Sequence, residues 1–373
     1  MSFALATIWH ERNRYLPGIL AVAFSAMLIA VQFGLLLGLL SLTSIPVDLA
    51  AADVWIGHPA VLSVDIGRAI PEAWLTRVQS QPEVERVEKF VLWLMMADTK
   101  EGNTSISTVI GTRVDDDSLG VPRIIPQDLR DRLTEIGSVV VDESDLNRLG
   151  FRQIGDEAQV LGHRIRLVGT VRGARSLAAP YLFCSVETAY MIVSFVPRYQ
   201  TIYLLASCRN PADAPVVAER LRRQYSDMSA YTKQEFSTRT RWHWLTATKS
   251  GMVIGVCAVL GLLVGAVVTS FTLYAATAAS LREYATLRAL GIPRARIAGT
   301  VLAQAFWVGS AGILLAAPAT FGIARLVDAL GAKVSLPSWL LVGAAAMTMT
   351  MALVSGLAAL RSLRLLEPAE LLR

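Results

Sequence analysis

Four stretches of this chain, Leu16 to Leu42, Gly251 to Ala279, Ala298 to Ala324 and Ser338 to Leu360, contain no Asp, Glu, Lys, Arg or His. Each is long enough to cross a bilayer core, which takes about 20 predominantly apolar residues. Hydrocarbon admits only helices and closed barrels, because it offers the backbone no other hydrogen-bond partner. Composition agrees: 53% of the 373 residues are hydrophobic and 17% charged, against about 25% charged in an ordinary soluble domain. Arg12, Arg14 and the cleavable-looking Ala50-Ala51-Ala52 would suit a signal peptide. The first apolar run far exceeds the roughly 7–15 residues of a signal-peptide core, so it reads as a retained anchor.

The expected fold class is therefore membrane α-helical, four transmembrane helices with an α+β extracytoplasmic domain inserted between the first and second spans. The expected division is a cytoplasmic amphipathic N-terminus (1–15), span 1 (16–42), an extracytoplasmic domain with stalk (43–249), span 2 (250–280) and a cytoplasmic coupling helix (281–296). Span 3 (297–325), an outer loop (326–337), span 4 (338–360) and a cytoplasmic tail (361–373) complete it. Residues 2–15 read either as a helix lying on the inner leaflet before Pro17 redirects it or as a disordered tail. Orientation follows from Lys and Arg in the short flanks. Arg12, Arg14, Arg282, Arg288, Arg294, Arg296, Arg361, Arg364 and Arg373 stand against Arg325 and Lys333. That excess puts both termini and the loop at 281–296 in the cytoplasm, and the large domain outside. The net charge of +5 sits on the cytoplasmic flanks, where it suits an anionic leaflet rather than nucleic acid.

Within the large domain, Val61 to Ile66 and Lys89 to Ala97 read as strands around a helical stretch, Pro71 to Val87. Pro126 to Ile136 reads as a helix, and Ser138 to Asp142, Glu157 to Leu161 and His163 to Val171 as strands. Thr201 to Ala206, Pro211 to Tyr225 and Ser229 to Phe236 repeat the strand, helix, strand order, a hint of two similar lobes. No helix breaker precedes Gly251, so one continuous helix is expected to leave the domain and enter span 2, with Trp242, His243 and Trp244 at the interface. Gly34-x-x-x-Gly38, Gly251-x-x-x-Gly255 and Gly261-x-x-x-Gly265 allow close helix approach, at a dimer seam or within the protomer.

Chemistry is harder to find. There is no phosphate-binding Gly-x-x-x-x-Gly-Lys-Ser/Thr, no His-Glu-x-x-His, no Cys-x-x-Cys and no Gly-x-Ser-x-Gly. The four histidines are isolated, and Asp115-Asp116-Asp117 reads as a solvated turn; no metal or catalytic residue is assigned. Cys257 reads as a small buried thiol in a span, and Cys184 and Cys208 could pair in an oxidising compartment. Spans without ionisable groups lack the mid-membrane residues on which ion-coupled carriers depend. Energy must then arrive from outside the chain. The loop SLREYATLRALGIPRARI is the candidate inlet: on a helix Arg282, Glu283 and Thr286 share one face, and Leu281, Tyr284 and Ala285 the other. Gly291 and Pro293 supply a stop and a restart. The same charges also suit a plain positive-inside hairpin with no partner.

At these residues the chain resembles the permease subunits of the MacB/FtsX-type ABC transporters. Arg282-Glu283-Tyr284-Ala285-Thr286-Leu287-Arg288-Ala289-Leu290-Gly291 is similar to their "R-E-x-x-x-L-R-A-L-G" coupling element, and Pro368 to Arg373 to their C-terminal "P-x-E-x-L-R". Asp142 to Gly169 is similar to an extracytoplasmic "S-x-x-x-R-L-G…x-G-D…V-G" stretch. Arg12 to Leu39 is most like the DevC-like exporters. The resemblance implies a homodimer without a cofactor of its own, in the bacterial inner membrane, working with a separate ATPase dimer that carries ATP and Mg. It implies Arg282, Glu283, Thr286, Arg288 and Gly291 at the ATPase contact. It also implies a periplasmic adaptor, sometimes an outer-membrane channel, and export of a lipid, glycolipid or hydrophobic compound. An FtsX-like mechanotransmitter that regulates a periplasmic or membrane partner without transport is the alternative.

Overall fold

The computed structural model describes residues 10, 12–98, 104–176, 179–279, 286, 291–329 and 332–365. Two compact units emerge, Leu40–Gly251 and the chain on either side of it. In chain order the elements begin with helices α1 (Arg12–Thr43) and α2 (Ile45–Leu49), then β1 (Val54–Gly57), β2 (Ile70–Pro71), α3 (Trp74–Gln79), β3 (Val84–Asp98) and β4 (Thr104–Thr112). Next come α4 (Gln127–Leu133), β5 (Ser138–Asp142), β6 (Glu157–Val160), β7 (His163–Val171), β8 (Tyr181–Ser185) and α5 (Val186–Ile192). The chain continues through β9 (Gln200–Thr201), β10 (Tyr203–Cys208), α6 (Ala214–Gln224), β11 (Ser229–Thr232), α7 (Lys233–Ala247), α8 (Lys249–Ala279), α9 (Arg294–Ala329) and α10 (Ser338–Leu365).

In the mixed unit one strand serves two sheets. The first half of β3 pairs with β10, Phe90 opposite Tyr203, in an antiparallel sheet of order β11-β1-β10-β3. Its second half pairs with β4, and at Ala97 with Val160 of β6, which closes the six strands β3-β4-β8-β5-β7-β6 into a ring. The four-stranded sheet joins two strand–helix–strand halves, β1-α3-β3 and β10-α6-β11, in the interleaved order of a ferredoxin-like split βαβ. The two halves expected to be separate lobes thus share one sheet, and the ring is the insertion between them.

Alternation along the strands decides which core each residue joins. Val54, Ile56, Leu204 and Ala206 face Val78 of α3 and Val217 and Leu221 of α6. Trp55 and Tyr203 point the other way, where Trp55 lies 5.1 Å from the Phe90 ring and 5.6 Å from that of Phe236. Arg220 on α6 grips Glu83 with two hydrogen bonds of 2.7 Å, which hold that carboxyl down at about 2 and fasten α6 to the start of β3.

Several boundaries differ from the sequence reading. Residues 61–66 form turns, and the strand lies earlier, at β1. The helix expected over Pro71 to Val87 shrinks to α3, because β3 claims the chain from Val84. The strand at Ser229 stops at Thr232, where Thr232 and Glu235 form a reciprocal capping box and start α7. Pro17 lies inside α1 rather than redirecting the chain before it.

The other unit contains α1, α8, α9 and α10, four helices long and apolar enough to cross a membrane. Ser25 Oγ of α1 donates to the Gly265 carbonyl of α8 at 3.0 Å. Val22 of α1 packs with Val308 of α9 and Ala352 of α10. Hydroxyls bond backward along their own helices, Thr272 to Val268, Thr320 to Ala316 and Thr348 to Ala344, which spares apolar surroundings an unmet polar group.

A methyl group at Gly38 would collide with the Lys333 carbonyl, whereas Gly322 has open space. Gly38→Ala is therefore expected to destabilise by about 1–2 kcal/mol, overpacking outweighing helix propensity, and Gly322→Ala to be neutral or slightly stabilising. Thermal midpoints of the two full-length variants in detergent check the difference in sign.

Candidate functional site

The chain enters the mixed unit through α2 and leaves it through α7, and a polar clamp joins the two. Arg241 of α7 donates to Asp48 Oδ2 at 2.6 Å and to Ser44 Oγ at 2.8 Å, while Ser44 itself donates to Asp48. About two turns earlier, the Lys233 ammonium donates to the Ala50 carbonyl at 2.6 Å; burial lowers its pKa. On another side of α7, Thr240 Oγ1 accepts from the Val64 backbone and Trp244 Nε1 donates to Asp65 Oδ2 at 2.6 Å. Burial raises the Asp65 carboxyl, against the bonds from Trp244 and Ser63 and the charge of His243. Sequence reasoning assigned none of these roles. The only signal was a run of long polar side chains in α7, whose partners lie nearly 200 residues away.

No continuous helix leaves the domain. Helix α7 ends at Ala247, Thr248 is extended (φ −98°, ψ 141°), and α8 starts at Lys249. The Thr248 hydroxyl serves both ends: it donates to the Trp244 carbonyl at 2.5 Å and accepts from the Gly251 N–H at 3.0 Å. That is the N-cap chemistry of threonine, and Thr248 ahead of Gly251 was its sequence signal. A break in the backbone ladder replaces the expected rigid rod.

At the candidate coupling segment, Arg282, Glu283 and Arg288 lie outside the described residues, as do the N-terminal residues 1–9 and the tail from Leu366. Thr286 is helical and exposed. Gly291 is exposed with φ +88°, in the left-handed region that glycine tolerates. The Pro293 carbonyl accepts from Arg296 N–H at 2.9 Å, so α9 starts directly after the proline.

Of the spaced glycines, Gly261 lies against Gln32, Gly265 against Ile29 and Ser25, and Gly34 and Gly38 against residues 333–336. Gly251 faces the backbone of Trp244, and Gly255 is half-buried. Cys257 is exposed on α8, not buried as expected. Cys184 and Cys208 are free and buried in different core clusters. The turn at Asp115 to Asp117 is tied by Arg113 to Asp115 and by Arg86 to Asp117, and among the described residues no group of His, Cys, Asp and Glu could hold a metal ion.

Among the described residues, four helices are long and apolar enough to cross a membrane, beside a mixed α/β unit. Residues 255–368 match the FtsX-like permease C-terminal family, which bears out the resemblance to MacB/FtsX-type permeases drawn from the coupling motif. No curated protein matches the chain. Among solved structures, the periplasmic region of MacB from Actinobacillus actinomycetemcomitans is similar at 11% identity and a TM-score of 0.35, over 51% of this chain and 92% of that one. The extracellular domain of the transporter YknZ from Gram-positive bacteria gives 10% identity and 0.34, over 48% and 98%. A domain of a permease protein from Porphyromonas gingivalis gives 15% and 0.31, over 56% and 98%.

Asp65 supplies a pH test. Its folded pKa lies above the ordinary 3.8, so the neutral carboxyl favours the folded state, and that contribution is lost as pH rises through the folded value. Asp65→Asn keeps an acceptor for Trp244 and cannot ionise. Relative to this variant, the wild-type chain is expected to lose thermal stability as pH rises from about 4 toward neutrality, read as the difference between the two melting curves at each pH.

Proposed function

We propose that the chain is the membrane subunit of an ATP-binding cassette exporter, working as a homodimer with a separate cytoplasmic ATPase dimer. The observation that carries this reading is the FtsX-like match over residues 255–368, which contains the whole Arg282-to-Gly291 motif. Spans without ionisable groups support it, since they leave the chain no ion gradient to draw on. The family match itself implies an ATPase partner.

In this reading both termini and the 281–296 loop are cytoplasmic and the mixed domain is periplasmic, in a bacterial inner membrane. Closure of the ATPase dimer on ATP and Mg pushes the segment that carries Arg282, Glu283, Thr286 and Arg288. The push travels along α8 to Thr248. There the backbone ladder is interrupted, so motion reaches the domain through one extended residue and is then shared between α7 and α2 by the Arg241–Asp48–Ser44 clamp. The domain changes its disposition toward a periplasmic adaptor, with an outer-membrane channel beyond it in the full exporter. Substrate, a lipid, glycolipid or other hydrophobic compound, is driven outward from the periplasm or outer leaflet.

Arg282→Glu combined with Arg288→Glu is expected to lower stimulated ATP hydrolysis by the co-expressed ATPase at least tenfold, about the loss of 1.4 kcal/mol of coupling, with membrane insertion unchanged. Unaltered hydrolysis and co-purification would remove the coupling role from this segment.

A further inference from the structure

The mixed unit carries an open groove of about 560 Å³ between β11 and α7, lined by Arg222, Tyr231, Glu235, Thr238, Arg239 and Trp242 among others. Two guanidinium groups share one aromatic ring here. Arg239 lies 5.1 Å and Arg222 5.8 Å from the centroid of Tyr231, which also stacks on Phe236 at an interplanar angle of 5°. The charges are unequally matched. Arg222 is paired with Glu219 at 2.9 Å and Glu235 at 3.5 Å, and Glu235 is further occupied by the Thr232 N–H in the capping box. Arg239 donates only its Nε, to the Val61 carbonyl at 3.3 Å. It makes no ion pair among the described residues, so its remaining N–H groups are left for a ligand in the groove.

Trp242 is 65% exposed at the rim, and chain length fixes where that rim can be. Trp242 precedes Lys249, the first residue of α8, by seven positions. Even a fully extended chain of that length spans at most about 25 Å, so the groove stays within that reach of the first residue of α8, whatever the angle at Thr248. An exposed indole within that reach suits a headgroup layer. An unpaired guanidinium presents the planar fork that phosphate accepts.

We propose that this groove binds the phosphate of an anionic phospholipid from the leaflet that the mixed unit faces, with Arg239 as the phosphate ligand and Trp242 against the glycerol and upper acyl region. Held in this way, a lipid pins the foot of α7, the helix that carries the Arg241 clamp. Binding of this lipid needs neither ATP nor an ATPase.

The test is tryptophan quenching in nanodiscs that contain the full chain. The Trp242 component is obtained as wild type minus Trp242→Phe, with brominated phosphatidylglycerol or brominated phosphatidylcholine as the probe lipid. Phosphatidylglycerol is expected to quench this component more strongly, and Arg239→Gln to weaken the preference about fivefold, the worth of one basic residue at a membrane surface. Thr238 is exposed, so Thr238→Glu places a negative charge in the groove with little risk to folding and is expected to abolish the preference, while Thr238→Gln retains it. Equal quenching by the two lipids, or a preference that survives both Arg239→Gln and Thr238→Glu, overturns the proposal. Relief of the quenching by millimolar inorganic phosphate overturns the lipid assignment and marks the groove as a site for free anions.

Discussion

Hydrocarbon supplies no hydrogen-bond partner, and most of what this chain does follows from that. Four helices satisfy their own backbones, and the hydroxyls of Thr272, Thr320 and Thr348 turn back on carbonyls four residues earlier. Small residues rather than charges bring them together, as where Ser25 and Ile29 meet Gly265. No ionisable side chain is available at mid-membrane to hold a coupling ion. In the proposed function, force is applied at the helix ends, which gives the loop between α8 and α9 its importance.

The mixed unit is organised to behave as one piece. Strand β3 belongs to both the split βαβ sheet and the closed ring, so a force on either is felt by the other. The aromatic group of Trp55, Phe90, Tyr203 and Phe236 connects β1, β3 and β10 with the first turns of α7. Arg241, Asp48 and Ser44 then join the helix that leaves the unit to the one that enters it. Against this stiffness, Thr248 is a deliberate interruption: a hydroxyl that caps both neighbours stabilises a joint where an alanine would have favoured continuous helix.

The four apolar helices were legible because their signal is long and one-dimensional: each apolar run exceeds any soluble helix core of ordinary length. Short strands bounded by strong turn residues, such as Ser138 to Asp142 and His163 to Val171, were legible from β-branched content and alternation. Val54 to Gly57 was missed because only four residues, between Asp53 and His58, carry no readable period; its partners at 204–206 and 229–232 are distant in sequence. The interleaving of the two strand–helix–strand halves is likewise a fact of pairing, which composition cannot express. Thr248 could have been found, since Thr before Lys-Ser-Gly is an N-cap pattern, but the apolar run beyond it dominated the reading. Of the candidate site, the motif from Arg282 to Gly291 stood out in the sequence, whereas the clamp at Arg241 and Asp48 required the fold.

Under the proposed function, which takes the chain as a homodimer, nucleotide-driven work at the loop between α8 and α9 moves the mixed unit across the membrane from it. Spin labels on Ile136→Cys, an exposed position, in a Cys257→Ala background, give the distance between mixed units of the two copies by double electron–electron resonance. With the ATPase bound, adding a non-hydrolysable ATP analogue is predicted to shift that distance distribution. Identical distributions with and without nucleotide, in a complex that hydrolyses ATP, would contradict the account.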